Sequence, residues 1–174
     1  AAPPGGRVPA RPMRVELRWP LADATAQPEG AHRALVLDTN IVLDLLVFGD
    51  PATALVRELL NAKTLRWIAT AAMRQELARV LDYPKIAARV AFYGLSTASV
   101  LQAFDAQAHT VATPARTPAT CRDADHQPFI DLAAAHSALF FRQDKAFLPL
   151  RKRLLASGAH VAGALVGAPF GLVC

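Results

Sequence analysis

The stretch LVLDTN, residues 35–40, carries the strongest structural signal in the chain. Leu35, Val36 and Leu37 form a continuous aliphatic run, as expected of a strand covered on both faces, and such a strand sits centrally in a parallel sheet. The chain then turns abruptly polar at Asp38, Thr39 and Asn40. An acid at the carboxyl end of a buried strand needs a reason, because its charge is costly to desolvate without a partner.

Beyond this stretch, strand and helix signals alternate. Helical character runs from Ile41 to Val47, and GDPATALVRELLNAK, residues 49–63, restarts a helix with Asp50 as N-cap and Pro51 at the first helical position. Leu55, Val56, Leu59 and Leu60 supply its apolar stripe. LRWIAT, residues 65–70, reads as a short strand ending at Thr70, itself a good cap for the helix AAMRQELARVL, residues 71–81. That helix turns Met73, Leu77, Val80 and Leu81 inward and stops before Pro84. Residues 86–109 read as helical with a break at Gly94, and residues 110–128 as an irregular link holding a weak strand. FIDLAAAHSA, residues 129–138, is a helix with Pro128 in its first turn, and LFF, residues 139–141, a short buried strand. The last helix begins beyond Asp144, carries Pro149 and ends by Gly158. This succession predicts an α/β sandwich with a mainly parallel sheet.

Composition agrees with one folded domain. The chain has 174 residues, 53% hydrophobic and 19% charged, far from the signature of disorder. A formal charge of +5 and a pI near 9.8 favour a polyanionic partner. Cys121 and Cys174 lie too far apart for a zinc spacing or a disulfide framework, so a reducing cytoplasm is the expected compartment. Residues 1–32 are rich in Pro, Gly and Arg and are expected to form a flexible tail, with residues 33–174 as the domain. Val15, Leu17 and Trp19 alternate in the manner of a short edge strand inside that tail. The apolar C-terminal stretch from His160 is broken by glycines and a proline and is shorter than the roughly 20 residues that span a bilayer, so a final strand plus a loose end is expected and no membrane partner.

Ligand sites in open parallel sheets form beyond the carboxyl ends of the strands, where Asp38 stands and where Asp144 follows the LFF strand. Glu76 sits at the border of its helix's apolar face and leans toward the core, although an exposed ion pair with Arg74 or Arg79 explains it equally well. Asp123 and Asp125 precede a helix N-terminus, where aspartate is commonly just a cap. Two carboxylates about 4 Å apart repel by roughly 4 kcal/mol at an effective dielectric near 20. Convergence of several is tolerable only around a cation. Oxygen ligands without thiolates point to Mg²⁺ or Mn²⁺, and such an ion near a phosphodiester activates water and stabilises the leaving oxygen.

Four segments in this order, LVLDTNIVLDLL with Asp38, MRQELARVL with Glu76, DADHQPFIDLA, and FFRQDKAFLPL with Asp144, resemble the PIN-domain nucleases over about residues 33–155. The likeness is nearest to the branch described as toxins of toxin-antitoxin modules. The resemblance implies a three-layer α/β/α fold, an acidic cleft holding Mg²⁺ or Mn²⁺, and hydrolysis of RNA. It implies that Asp38 and Asp144 bind metal, that Glu76 assists, and that Thr39 or Asn40 orders the site. It also implies a small antitoxin partner and a homodimer. One slot departs from the pattern: three positions before Phe129, where that branch carries an acid, stands His126. Asp125 or Asp123 is then expected to supply the missing oxygen, with Asp131 a more distant choice.

Cations surround these acids in sequence. Arg142 and Lys145 flank Asp144, Arg74 lies two before Glu76, and Arg122 precedes Asp123; they are candidate phosphate contacts, which give salt-sensitive affinity without base information. No aromatic platform for base stacking is legible. Three functions fit these residues: a metal-dependent ribonuclease, a PIN-like RNA-binding module impaired by His126, and an aspartate-nucleophile phosphatase. The last needs an acid two residues after Asp38, where Asn40 stands instead.

Overall fold

The computed structural model describes residues 16–19, 32–117, 126–142 and 148–167. Its centre is β2 (Arg33–Leu37), which contains the aliphatic run; Leu35 and Val36 are fully buried. Around it lies a five-stranded sheet in the order β4-β3-β2-β5-β6, formed with β3 (Leu65–Ala69), β4 (His109–Thr110), β5 (Leu139–Phe141) and β6 (His160–Ala162). Every pairing in it is parallel, with Leu35 opposite Trp67 on one side and Leu139 on the other. Burial on both faces explains the unbroken apolar sequence of β2.

Helices connect the strands and cover the sheet. From β2 the chain enters α1 (Thr39–Leu43), continues through a π-helical turn, Asp44–Phe48, and closes at Gly49, whose φ of 58° is left-handed. Leu43, Leu45 and Val47 are buried in the core, so the expected helix over 41–47 is present but widened in its second half. Asp50 then accepts from the Ala52 amide at 2.9 Å and Pro51 opens a short 3₁₀ turn before α2 (Ala54–Asn61), as its sequence predicts. Thr70 caps α3 (Ala71–Leu81), accepting from the Met73 amide at 3.4 Å. The region read as one broken helix resolves into α4 (Pro84–Phe92) and α5 (Thr97–Gln107), parted at Gly94 and recapped by a reciprocal Ser96 and Ser99 box. Further on come α6 (Gln127–His136) and α7 (Leu148–Leu155). No single helix among the described residues is long and apolar enough to cross a membrane.

Outside the main sheet, β1 (Glu16–Trp19) pairs in parallel with β7 (Ala164–Gly167), with Leu17 opposite Leu165. Leu17 also packs against the core. The expected edge strand is thus present at Glu16–Trp19 and joins the fold, inside the segment the sequence assigns to a tail; Val15 lies outside the described residues.

Candidate active site

The strand order places a topological switch beside β2: the chain leaves β2 toward β3 on one side, while β5 lies on the other. The crevice beyond these carboxyl ends is where a ligand is accommodated in such sheets. Asp38 stands at that point. Its amide donates to the Phe141 carbonyl at 2.9 Å, and its own carbonyl accepts from Val42 at 3.0 Å, so one residue ends β2 and starts α1. The Asp38 side chain does not cap α1, and the residue is only 4% exposed. Its carboxylate is therefore held at the strand end without serving the helix that follows. Thr39 is buried beside it and Asn40 is exposed.

On the neighbouring strand, Leu37 is opposite Phe141, so Asp38 and Arg142 are the next residues on adjacent strand ends. Arg142 continues the sheet through its amide, which donates to the Ala162 carbonyl at 3.1 Å. It is 1% exposed, with Nη2 3.4 Å from His126 Nδ1 and Cζ 6.0 Å from the Phe140 ring centroid. Guanidinium groups only donate, so any hydrogen bond in this contact runs from Arg142 to the ring. The sequence suggests a phosphate contact at Arg142; the fold makes it a buried cation in the floor of the crevice. His126, at the start of α6, is thereby engaged at one ring nitrogen.

Glu76 lies half-buried on α3 between buried Met73 and Leu77, the border position its spacing predicts. Arg74, one of the two pairing partners considered for it, forks onto Asp105 of α5, with Nε to Oδ1 at 2.7 Å and Nη2 to Oδ2 at 2.8 Å. This hydrogen bonding holds the Asp105 carboxyl below its ordinary range and lifts Arg74 above its own. Asp131 is engaged structurally as well. Its Oδ1 accepts from the Thr117 amide and from Gln127 Nε2, both at 2.9 Å, tying the link after β4 to the first turn of α6.

Asp123, Asp125, Asp144, Lys145 and Arg122 lie outside the described residues. Among the described residues no three His, Cys, Asp or Glu side chains are grouped to hold a metal ion. Asp38 and Glu76 are hard oxygen donors with no thiolate beside them in sequence, a chemistry that suits Mg²⁺ or Mn²⁺. They do not form a complete ligand set by themselves.

One feature escapes the sequence. Phe48, Phe92 and Tyr93 assemble into an aromatic cluster, with ring centroids 5.9 Å apart for Phe48 and Tyr93 and 5.4 Å for Phe92 and Tyr93. The Arg89 guanidinium lies 3.8 Å over the Phe48 ring. Phe48 is too distant in sequence to signal this grouping, although two adjacent aromatics before the Gly94 break are a clue.

A family model described as PIN domain matches residues 34–141, more than half of the chain. No curated protein matches it. PIN domains are typically nucleases acting on RNA and generally use divalent metal ions. The matched span begins in β2 and ends with β5, the two strands that flank the crevice.

Proposed function

Because this chain belongs to the PIN-domain family, we propose that it is a Mg²⁺- or Mn²⁺-dependent endoribonuclease, the toxin of a toxin-antitoxin pair acting in the cytoplasm. The observation that carries this proposal is Asp38, a buried carboxylate at the switch point of the sheet whose side chain does not cap the helix after it. Asp38 and Glu76 would hold the ion, with Asp144 and one of Asp123 or Asp125 completing the set. When bound, the ion would supply an activated water and neutralise charge on the leaving oxygen.

The chain's own residues have separate roles in this scheme. Thr39 and Asn40, following directly on Asp38, position it and the scissile phosphate. Buried Arg142 offsets the repulsion among neighbouring carboxylates, which in a partly dry site amounts to several kcal/mol at roughly 4 Å separations. Lys145 provides a phosphate contact near Asp144. A small antitoxin would cover the crevice, and a homodimer would present two such sites.

Purified protein incubated with a mixed RNA pool should cleave it with Mn²⁺ or Mg²⁺ and cease with chelator. Chelator-insensitive cleavage, or none with either ion, rejects the proposal.

A second function rests on the Arg142 to His126 contact. His126 stands in the slot where an acid is expected and has the buried Arg142 cation 3.4 Å from its Nδ1, which favours an RNA-binding module of reduced activity. Metal-independent RNA binding without cleavage would establish it.

A further inference from the structure

Contiguous exposed apolar patches mark interaction sites, and Phe92 is 82% and Tyr93 47% exposed. They do not stand alone. Tyr93 meets Phe92 edge to face at 88°, Phe48 supports Tyr93 from the core side, and Arg89 spreads over Phe48. The α4 sequence that ends in Phe92, PKIAARVAF, holds Lys85 and Arg89 and no acid. Exposed rings interleaved with a flat guanidinium are what unpaired bases stack on, whichever base they are.

The cluster is also at the right end of the molecule. Helix α2 delivers the chain to the amino edge of the sheet, where the Arg33 amide meets the Thr64 carbonyl at 3.1 Å. Its start at Ala54, one short turn after Phe48, therefore lies toward the carboxyl ends of the strands. Helix α5 likewise returns the chain to β4, so Tyr93, before its start, is on that same side. From Asp38 to Phe48 the helical run covers at most about 15 Å, at roughly 1.5 Å per residue for its α-helical part and less for the π-helical turn. A strand with a phosphate at Asp38 thus has this surface within a few nucleotides.

We propose that Arg89, Phe92 and Tyr93, supported by Phe48, form a base-stacking platform for single-stranded RNA that extends the substrate path from Asp38. The assignment rests on the nuclease proposal for its substrate class and selects unpaired over duplex RNA.

The test uses the full chain in chelator, so that binding is read without cleavage. A labelled unstructured RNA and a hairpin duplex of equal length are titrated by fluorescence anisotropy against the wild type, Phe92→Ala and Arg89→Gln. Phe92→Ala leaves the charge unchanged, and its exposure makes loss of folding an unsuitable explanation once circular dichroism matches the wild type. It should weaken binding of the unstructured RNA about tenfold, the scale of one lost stacking contact, with little change for the duplex. Arg89→Gln should weaken the unstructured RNA as well and flatten the salt dependence. Equal affinity of wild type and Phe92→Ala, equal losses on both RNAs, or no binding by the wild type overturns the platform. Unchanged RNA affinity together with a lowered mass in sedimentation also overturns it and assigns the surface to a second copy. Cleavage by wild type with Mn²⁺ is scored separately, so a nuclease without a platform and a platform without a nuclease give different results.

Discussion

The Asp38 amide donates to the Phe141 carbonyl at 2.9 Å, and this one bond brings the ends of β2 and β5 level. It seats an acid and a buried guanidinium, Asp38 and Arg142, side by side at the switch point of the sheet. Sequence distance between them exceeds a hundred residues, yet the pairing of Leu37 with Phe141 sets both at the same level of the sheet.

Replacing Asp38 by Asn keeps the backbone bonds and removes the charge. Metal-dependent cleavage of RNA should fall about 1000-fold, equivalent to about 4 kcal/mol, while the circular dichroism spectrum and melting temperature stay close to wild type. Retained cleavage in this variant would remove Asp38 from the chemistry.

Arg142→Ala should act on stability before activity. The side chain is almost wholly buried, so truncation leaves a cavity and strips a cation from the floor of the crevice; urea denaturation should show a loss of about 3 kcal/mol. Arg142→Lys should restore only part of it, since an ammonium lacks the planar fork that reaches His126 Nδ1. A variant as stable as wild type would show that Arg142 is not structural.

Lys63→Gly should stabilise the protein. Lys63 ends α2 with φ of 59°, its amide donating to Leu60 and the next amide, Thr64, to Leu59, a geometry that glycine adopts without strain. The gain should be roughly 0.5 kcal/mol after the greater freedom of glycine in the unfolded chain is subtracted. Ser137, also left-handed with φ of 49°, is a useful contrast: its hydroxyl donates to the Ser157 carbonyl at 2.6 Å, so Ser137→Gly gives back what it gains. Equal shifts in the two melting temperatures would contradict this distinction.

The Arg74 and Asp105 pair gives a pH signature of defined sign. Hydrogen bonding lowers the Asp105 carboxyl below its ordinary 3.8, so its stabilising contribution is complete above that value and is lost as pH falls through the depressed one. Arg74 is raised above its ordinary value and stays charged throughout that window. Asp105→Asn should therefore lower the melting temperature slightly at neutral pH, and the difference from wild type should vanish in strong acid and shrink in about 1 M salt, because the pair is exposed. A difference that grows on acidification would refute the assignment.

Much of the architecture is readable because it depends on local rules. The run Leu35 to Leu37 announces a central strand, Asp50 with Pro51 and Thr70 announce helix starts, and each is realised with the cap bond its residue type predicts. Asp38 is legible as the single acid on an otherwise aliphatic strand end. Arg142 is visible as a cation near Asp144, but its burial is not, because only the return of β5 between β2 and β6 encloses it. The role of Asp131 depends on Thr117, fourteen residues away in sequence, and no periodicity encodes that. The aromatic cluster escapes for the same reason, since Phe48 and Tyr93 meet only through the packing of α4 and α5 around the π-helical turn. Asp123, Asp125 and Asp144 fall outside the described residues and remain proposed ligands.

The pairing of β1 with β7 ties residues 16–19 to residues 164–167 in parallel register. Laboratory versions trimmed to start at residue 33 would therefore leave β7 with an open edge, a seam at which two molecules can zip together. Solubility of such a shortened protein should suffer even though every residue of the crevice is retained.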